Sequence, residues 1–252
     1  MGVTYVQEYG LNTYDFDKNG KVRLTSLVNF LQDISTRHFE SAVRDRFEGS
    51  LGLWVIVEWK VDILKMPETV MNIKVTTEPT YFRKFIAYRG YKIEDENGEC
   101  IGTGVSKWAY LDVSSRRQAN IPSAFNEIFK VEEGAYKPER MVISAPHSEK
   151  AHIAKIMSYD SDLDVNQHVN NVVYIRWALD ALQMSPFAFD GQWNPMTLKV
   201  NFKKEIFAHT EIEIESYIDE ISSNEKRSIH RLRNNQGELS VDMEIAWIKI
   251  SD

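Results

Sequence analysis

Two stretches of the chain carry apolar residues at helical spacing. In the first, Leu24, Leu27, Val28, Leu31 and Ile34 recur three and four residues apart, which puts them on one side of a helix. In the second, Val172, Ile175, Leu179 and Leu182 form the stripe, and Val169, Val173 and Trp177 fill another side. A helix that is apolar on several sides is expected to be deeply buried. Further along, the period changes to two. Met196, Leu198, Val200 and Phe202 alternate with Thr197, Lys199, Asn201 and Lys203, and Ile212 and Ile214 alternate with Glu211, Glu213 and Glu215. Such alternation predicts strands with one face covered. Asn97-Gly98 and Gln236-Gly237 sit where hairpin turns are expected.

The same order of features occurs twice. Asp15, Phe16, Asp17, Asn19 and Val22 align without gaps on Asp162, Leu163, Asp164, Asn166 and Val169. At the same offset Val28 meets Ile175, Phe30 meets Trp177 and Asp33 meets Asp180. After small gaps Met71 to Lys74 matches Ile212 to Glu215, Asn97-Gly98-Glu99 matches Gln236-Gly237-Glu238, and Trp108 matches Trp247. One long unit repeated once points to duplication rather than a solenoid. The expected domains are 1–135 and 136–252. Ser114 to Lys150, with Pro122, Gly134, Pro138 and Pro146, reads as the crossing linker. One buried helix with an antiparallel sheet, made twice, predicts an α+β fold in which a sheet wraps a helix.

Composition narrows the class. Of 252 residues, 43% are hydrophobic and 27% charged, which excludes wholesale disorder and fibrous classes. The longest apolar runs, such as Leu53 to Val57, are too short to span a bilayer. No secretory or transit segment is evident at the start. The single cysteine, Cys100, rules out an internal disulfide and argues against a cysteine-based zinc site, so a reducing cytoplasm is expected. A net charge of −7 with no basic tract argues against nucleic-acid binding.

The densest polar run is Ser161 to Asn171, at the mouth of the second apolar helix. Ordinary roles fit its parts: an N-cap for Asp164 or Asn166, a buried histidine for His168, loop hydrogen bonds for Asn170 and Asn171. A cap needs one polar residue, however, and burying several is costly unless they bond one another. A helix start also offers free amides and partial positive charge, suited to an oxyanion. In the first copy Asp17 and Asn19 remain, but Lys21 stands for His168, and Arg23 and Leu24 for Asn170 and Asn171. That copy is expected to have lost its chemistry. Glu205 stands where the strand alternation breaks, and Leu64 is its expected counterpart.

Other motifs fall short. Asp15-Phe-Asp17-Lys-Asn19-Gly20 opens like a calcium loop, but Ser26 stands where a bidentate Glu is needed. Gly102-Thr-Gly104 lacks a third glycine and a following helix, no Gly-x-Ser-x-Gly elbow occurs, and the histidines lack metal-ligand spacing.

The run Ser161-Asp-Leu-Asp-Val-Asn-Gln-His-Val-Asn-Asn171, continued by Tyr174-Ile175 and Trp177, by Met196-Thr-Leu198 and by Phe202-Lys-Lys-Glu205, resembles the acyl-acyl-carrier-protein thioesterases of plant plastids and bacteria. The resemblance covers essentially the whole chain. It implies a double hot-dog fold, with two tandem antiparallel sheets each wrapped around a long helix. It implies hydrolysis of fatty acyl thioesters of acyl carrier protein, with no cofactor or metal. Asp164, Asn166, His168 and Glu205 fall on the family's catalytic positions. Where plant members often carry Cys after the glutamate, this chain has Ile206, so a Cys–His mechanism is not expected.

Water attack assisted by Glu205, with Asn166 and helix-start amides holding the oxyanion, is the leading expectation; Asp164 as nucleophile competes with it. Asn170, Asn171, Trp54 and Trp59 are expected at the substrate, with the first copy shaping the acyl pocket. Arg83, Lys84, Lys199, Lys203 and Lys204 are candidates for docking acidic carrier protein. Acyl-CoA hydrolysis, a hot-dog dehydratase and a non-catalytic acyl-binding module are the rival readings. Pairing of whole chains into homodimers stays open.

Overall fold

A computed structural model describes residues 2–69, 71–132, 139–185 and 192–250. The chain divides into two compact units, Met1–Arg140 and Met141–Asp252. The expected boundary at residues 135 and 136, with Gly134 and Pro138 of the expected linker, lies outside the described residues.

The N-terminal unit runs β1 (Tyr5–Gly10), α1 (Leu24–Val43), β2 (Leu53–Ile63), β3 (Asn72–Arg83), β4 (Ile86–Glu94), β5 (Cys100–Leu111) and a short helix α2 (Ala124–Ile128). Its strands lie in the order β1-β3-β4-β5-β2, with antiparallel neighbours. The predicted stripe of α1 is buried: Leu27, Val28, Leu31 and Ile34 are each at most 2% exposed. The helix packs against β1 and β3. Full burial of a Leu or Ile is worth roughly 1.5–3 kcal/mol, so this face anchors the helix. A second cluster gathers Phe125 and Phe129, from α2 and just beyond it, with Tyr110 of β5 and Val43 of α1.

The C-terminal unit repeats the plan with β6 (His152–Met157), α3 (Asn171–Met184), β7 (Trp193–Phe202), β8 (Glu211–Glu220), β9 (Glu225–Arg233) and β10 (Leu239–Lys249). Its strand order, β7-β10-β9-β8-β6, is the N-terminal order with every strand replaced by its counterpart. The helix α3 packs on β6, β8 and β9. It ends where Ser185 turns extended and its hydroxyl donates to the Leu182 carbonyl.

The strands obey the predicted alternation: Leu198, Val200, Ile212 and Ile214 are buried. Gly98 and Gly237, at φ 80° and 75°, close matching turns, in which Asp95 and Asn234 accept backbone amides through their side chains. Such φ values suit glycine. One detail of the repeat is corrected. Tyr9 pairs with Ile73 and Ile156 with Ile212, so Ile73, not Met71, is the counterpart of Ile212. Among the described residues no helix is long and apolar enough to cross a membrane.

Candidate active site

The polar run folds as a tight loop at the head of α3. A single 3-10 turn, Asp160–Asp162, leads in. The Asp162 carboxylate is buried, accepts the Tyr159 amide at 2.9 Å and pairs with Arg176 of α3 at 2.6 Å. The Asp162 carbonyl accepts the Asn170 amide at 2.9 Å. Between these anchors, Leu163 and Val169 form an isolated antiparallel bridge. The Asp164 amide donates to the His168 carbonyl at 2.8 Å and the Gln167 amide to the Asp164 carbonyl at 3.0 Å. Gln167 takes the left-handed conformation, φ 65°, which closes the turn.

His168 leaves this loop buried, at 8% exposure. Its Nε2 lies 3.0 Å from Glu205 Oε2, and Phe207 meets the ring edge-on at 5.0 Å. Two bonds hold Glu205 there through its neighbour. The Ile206 carbonyl accepts the Val169 amide at 2.9 Å, and the Ile206 amide donates to the Tyr174 hydroxyl at 3.0 Å. Tyr174 is buried, and burial first, then Glu205 and Asp164, push its phenol above the ordinary value despite the Ile206 bond. The Glu205 side chain keeps about 40% of its surface open, so water can reach the carboxylate. An accessible carboxylate against a buried imidazole is an arrangement that can take and return a proton.

Tyr174 is the residue whose positioning role sequence reasoning missed. A tyrosine on the buried side of a helix needs a hydrogen-bond partner, and that need was the available signal.

The other loop residues have partners of their own. Asp164 Oδ1 accepts the Asn166 backbone amide at 2.7 Å, so this carboxylate shapes the loop carrying His168. The Asn166 side chain is exposed. Asn170 is the N-cap of α3: its Oδ1 accepts the Val172 amide at 2.9 Å and its carbonyl accepts the Val173 amide. These two helix-start amides are therefore occupied by Asn170 and are not open to an oxyanion. Asn171 opens the helix, half-buried.

In the N-terminal unit Trp54 lines a cavity of about 350 Å³, whereas Trp59 is fully buried against Tyr91, off that cavity wall. Lys199 is held by Glu244 at 2.7 Å, Lys203 by Asp242 at 3.7 Å, and Lys204 by Glu238. Arg83 and Lys84 are exposed at the hairpin between β3 and β4.

The first copy repeats the backbone without the histidine and the glutamate. Asp15 caps its own 3-10 turn through the Asn12 amide, Asp17 Oδ1 accepts the Asn19 and Lys21 amides, and Phe16 bridges Val22. The Val22 amide donates to the Pro67 carbonyl, as Val169 does to Ile206. That bond makes Met66 the counterpart of Glu205 and corrects the expected Leu64.

Residues 2–129 match the acyl-ACP thioesterase N-terminal domain, and residues 146–249 the acyl-ACP thioesterase C-terminal domain. The chain belongs to the acyl-ACP thioesterase family. Chloroplastic oleoyl-acyl carrier protein thioesterase 2 of Arabidopsis thaliana is 23% identical over 72% of this chain and 54% of its own length. A chloroplastic acyl-acyl-carrier-protein hydrolase of Cuphea viscosissima is 28% identical over 74% of this chain and 48% of its own. The chain thus spans about half the length of these curated relatives. An assigned oleoyl thioesterase from Lactobacillus plantarum superposes with a TM-score of 0.86 at 19% identity, covering 100% of this chain and 98% of that one. Structural likeness of this kind carries the hot-dog fold of the family.

Proposed function

We propose that the chain is a thioesterase that hydrolyses fatty acyl-acyl carrier protein to free fatty acid and holo carrier protein. The observation that carries this reading is the 3.0 Å pair of His168 and Glu205, on a loop and strand end whose sequence resembles the family's catalytic run. The architecture behind it is two tandem hot-dog sheets, each around its helix. The C-terminal copy does the chemistry and the N-terminal copy shapes the acyl pocket. The setting is cytoplasmic, and exposed Arg83 and Lys84 are better placed to meet an acidic carrier than Lys199, Lys203 and Lys204, whose charges are already paired.

The mechanism is water attack. Glu205 takes a proton from a water as its oxygen bonds the thioester carbon. The Asn166 side chain donates toward the developing oxyanion. The tetrahedral intermediate collapses with cleavage of the carbon–sulfur bond. The proton held on the Glu205–His168 pair passes to the leaving sulfur. The products are a fatty acid and the carrier's free thiol, and the pair returns to its starting state. Asp164 does not act as nucleophile in this scheme, because its carboxylate holds the loop.

The test is thiol release from acyl carrier proteins bearing medium to long chains, run beside the matching acyl-CoAs. Preferred turnover of the carrier-protein thioesters is expected. Equal or faster turnover of the CoA esters would reassign the protein as a general acyl thioesterase. Acyl binding without turnover would make it a binding module.

A further inference from the structure

The N-terminal cavity has an apolar wall built from Phe39, Trp54, Phe82, Tyr88 and Phe129 and, among the described residues, one cation on it, Arg89 of β4. Arg89 is 8% exposed. Its Nη1 lies 2.9 Å from His38 Nδ1 and 3.3 Å from the Thr77 hydroxyl. Both partners are neutral. His38 is buried beside Tyr5 and Phe129. Burial first, then the Arg89 charge, pushes its imidazole down to about 3, so it accepts from Arg89 as the uncharged ring.

Among the described residues no carboxylate lies within ion-pair distance of Arg89. Glu40 also lines the cavity, but it is exposed and its charge is solvated. A guanidinium stays charged even where burial pulls its pKa down. A buried cation without a counter-ion is costly, and proteins normally pair it. On the same wall, the Trp54 indole N–H is buried with no hydrogen-bond partner among the described residues.

We infer that this cavity binds an alkyl chain ending in a carboxylate, with the carboxylate on Arg89 and the chain along the aromatic wall. Two sources share that chemistry: a free fatty acid bound head-first, or an acyl substrate oxidised to a carboxylate at its far end. Either supplies the missing charge, and guanidinium recognises carboxylate in a planar, two-point geometry.

The test uses the full chain and three ligands of one tail, dodecanoate, dodecanol and dodecylammonium, titrated calorimetrically below their micellar concentrations. Dodecanoate is expected to bind at least about 10-fold more tightly than dodecanol, and dodecylammonium more weakly than both. The Arg89→Met variant is expected to bind the acid and the alcohol within about threefold of each other. A wild-type protein that binds the alcohol as well as the acid overturns the inference, as does a variant that keeps the preference. If Arg89→Met does not fold, a wild-type crystal soaked in dodecanoate decides: the carboxylate within hydrogen-bond distance of Arg89 supports the site, and a carboxylate anywhere else overturns it.

None of these readouts needs turnover, so they stand apart from the thioesterase reading. Assigning the source does rest on that reading. Faster hydrolysis of an ω-carboxylated dodecanoyl thioester than of the plain one points to the substrate's far end. Slower hydrolysis, with inhibition by dodecanoate, points to the released acid.

Discussion

The loops Asp15–Arg23 and Asp162–Asn170 have the same backbone hydrogen bonds and different side-chain chemistry. In both, the first aspartate accepts the amide three residues before it and the second accepts the amide two residues after it. In both, the valine amide reaches across to the chain beyond the next strand. Only the second loop carries an imidazole, and only there does a carboxylate stand opposite. Asp164 and Asp17 each accept the amide two residues on, in copies with and without a histidine–glutamate pair, so this bond belongs to the loop's fold. His168, Glu205 and the Tyr174 hydroxyl are what the second copy has in place of Lys21, Met66 and Leu27.

The largest effect should come from exchanging chemistry alone. His168→Ala and Glu205→Gln are each expected to lower kcat by about 100-fold or more with the fold intact. Lys21→Ala and Met66→Leu, at the matching sites, should leave kcat unchanged. Parallel kinetics and circular dichroism on all four variants check this, and equal losses in both copies would erase the distinction.

Next come the two aspartates. Asp164→Asn and Asp17→Asn keep an oxygen acceptor and should be tolerated. Asp164→Ala and Asp17→Ala should each cost about 1–2 kcal/mol in urea unfolding, the scale of a lost charged-acceptor bond. An Asp164→Asn variant that is folded but inactive would return the nucleophile role to Asp164.

The units also share a buried, neutral histidine. His230 lies between Ser216 and Ser228, and burial pushes it down to about 3, as it does His38. In the unfolded chain each titrates near its ordinary value of 6.5. Between these values the unfolded state binds more protons, so the stability from both histidines is complete above pH 6.5 and is lost as pH falls toward 3. The melting temperature should therefore drop through this window. His230→Gln should shallow the drop, leaving the part due to His38; an unchanged slope would contradict the assignment.

The smallest effect concerns the helix starts. Asn170 caps α3 through its side chain, whereas Arg23 at the same place on α1 makes no such bond. Asn170→Ala should cost about 1 kcal/mol, and Arg23→Asn should gain a similar amount. Thermal melts of the two variants should move in opposite directions.

Much of the fold was legible because its signals are local. The α1 and α3 stripes, the Gly98 and Gly237 turns and the Asp15 and Asp162 loops all lie within short windows. The error lay in the gap between helix and strands: Met71 for Ile73 and Leu64 for Met66 are the same two-residue slip. A strand repeats every two residues, so that slip preserves the alternation and leaves no trace in the pattern.

The His168 and Glu205 positions were legible through the family run, but their contact was not, since it depends on Ile206 being held by Tyr174 and Val169. The pairing of Lys199 with Glu244, and of Lys203 and Lys204 with Asp242 and Glu238, was invisible for the same reason: it is set by strand register. Arg89 reads as an ordinary strand residue until the cavity beside it is seen.

In the proposed mechanism Glu205 and His168 drive water onto the thioester carbon while Asp164 stays uninvolved. In single-turnover hydrolysis of an acyl carrier protein thioester in ¹⁸O-water, mass spectrometry of the released fatty acid and of the enzyme follows where the label goes. One labelled oxygen in the released fatty acid and an unlabelled Asp164 are expected. Label in the Asp164 carboxylate would contradict the mechanism.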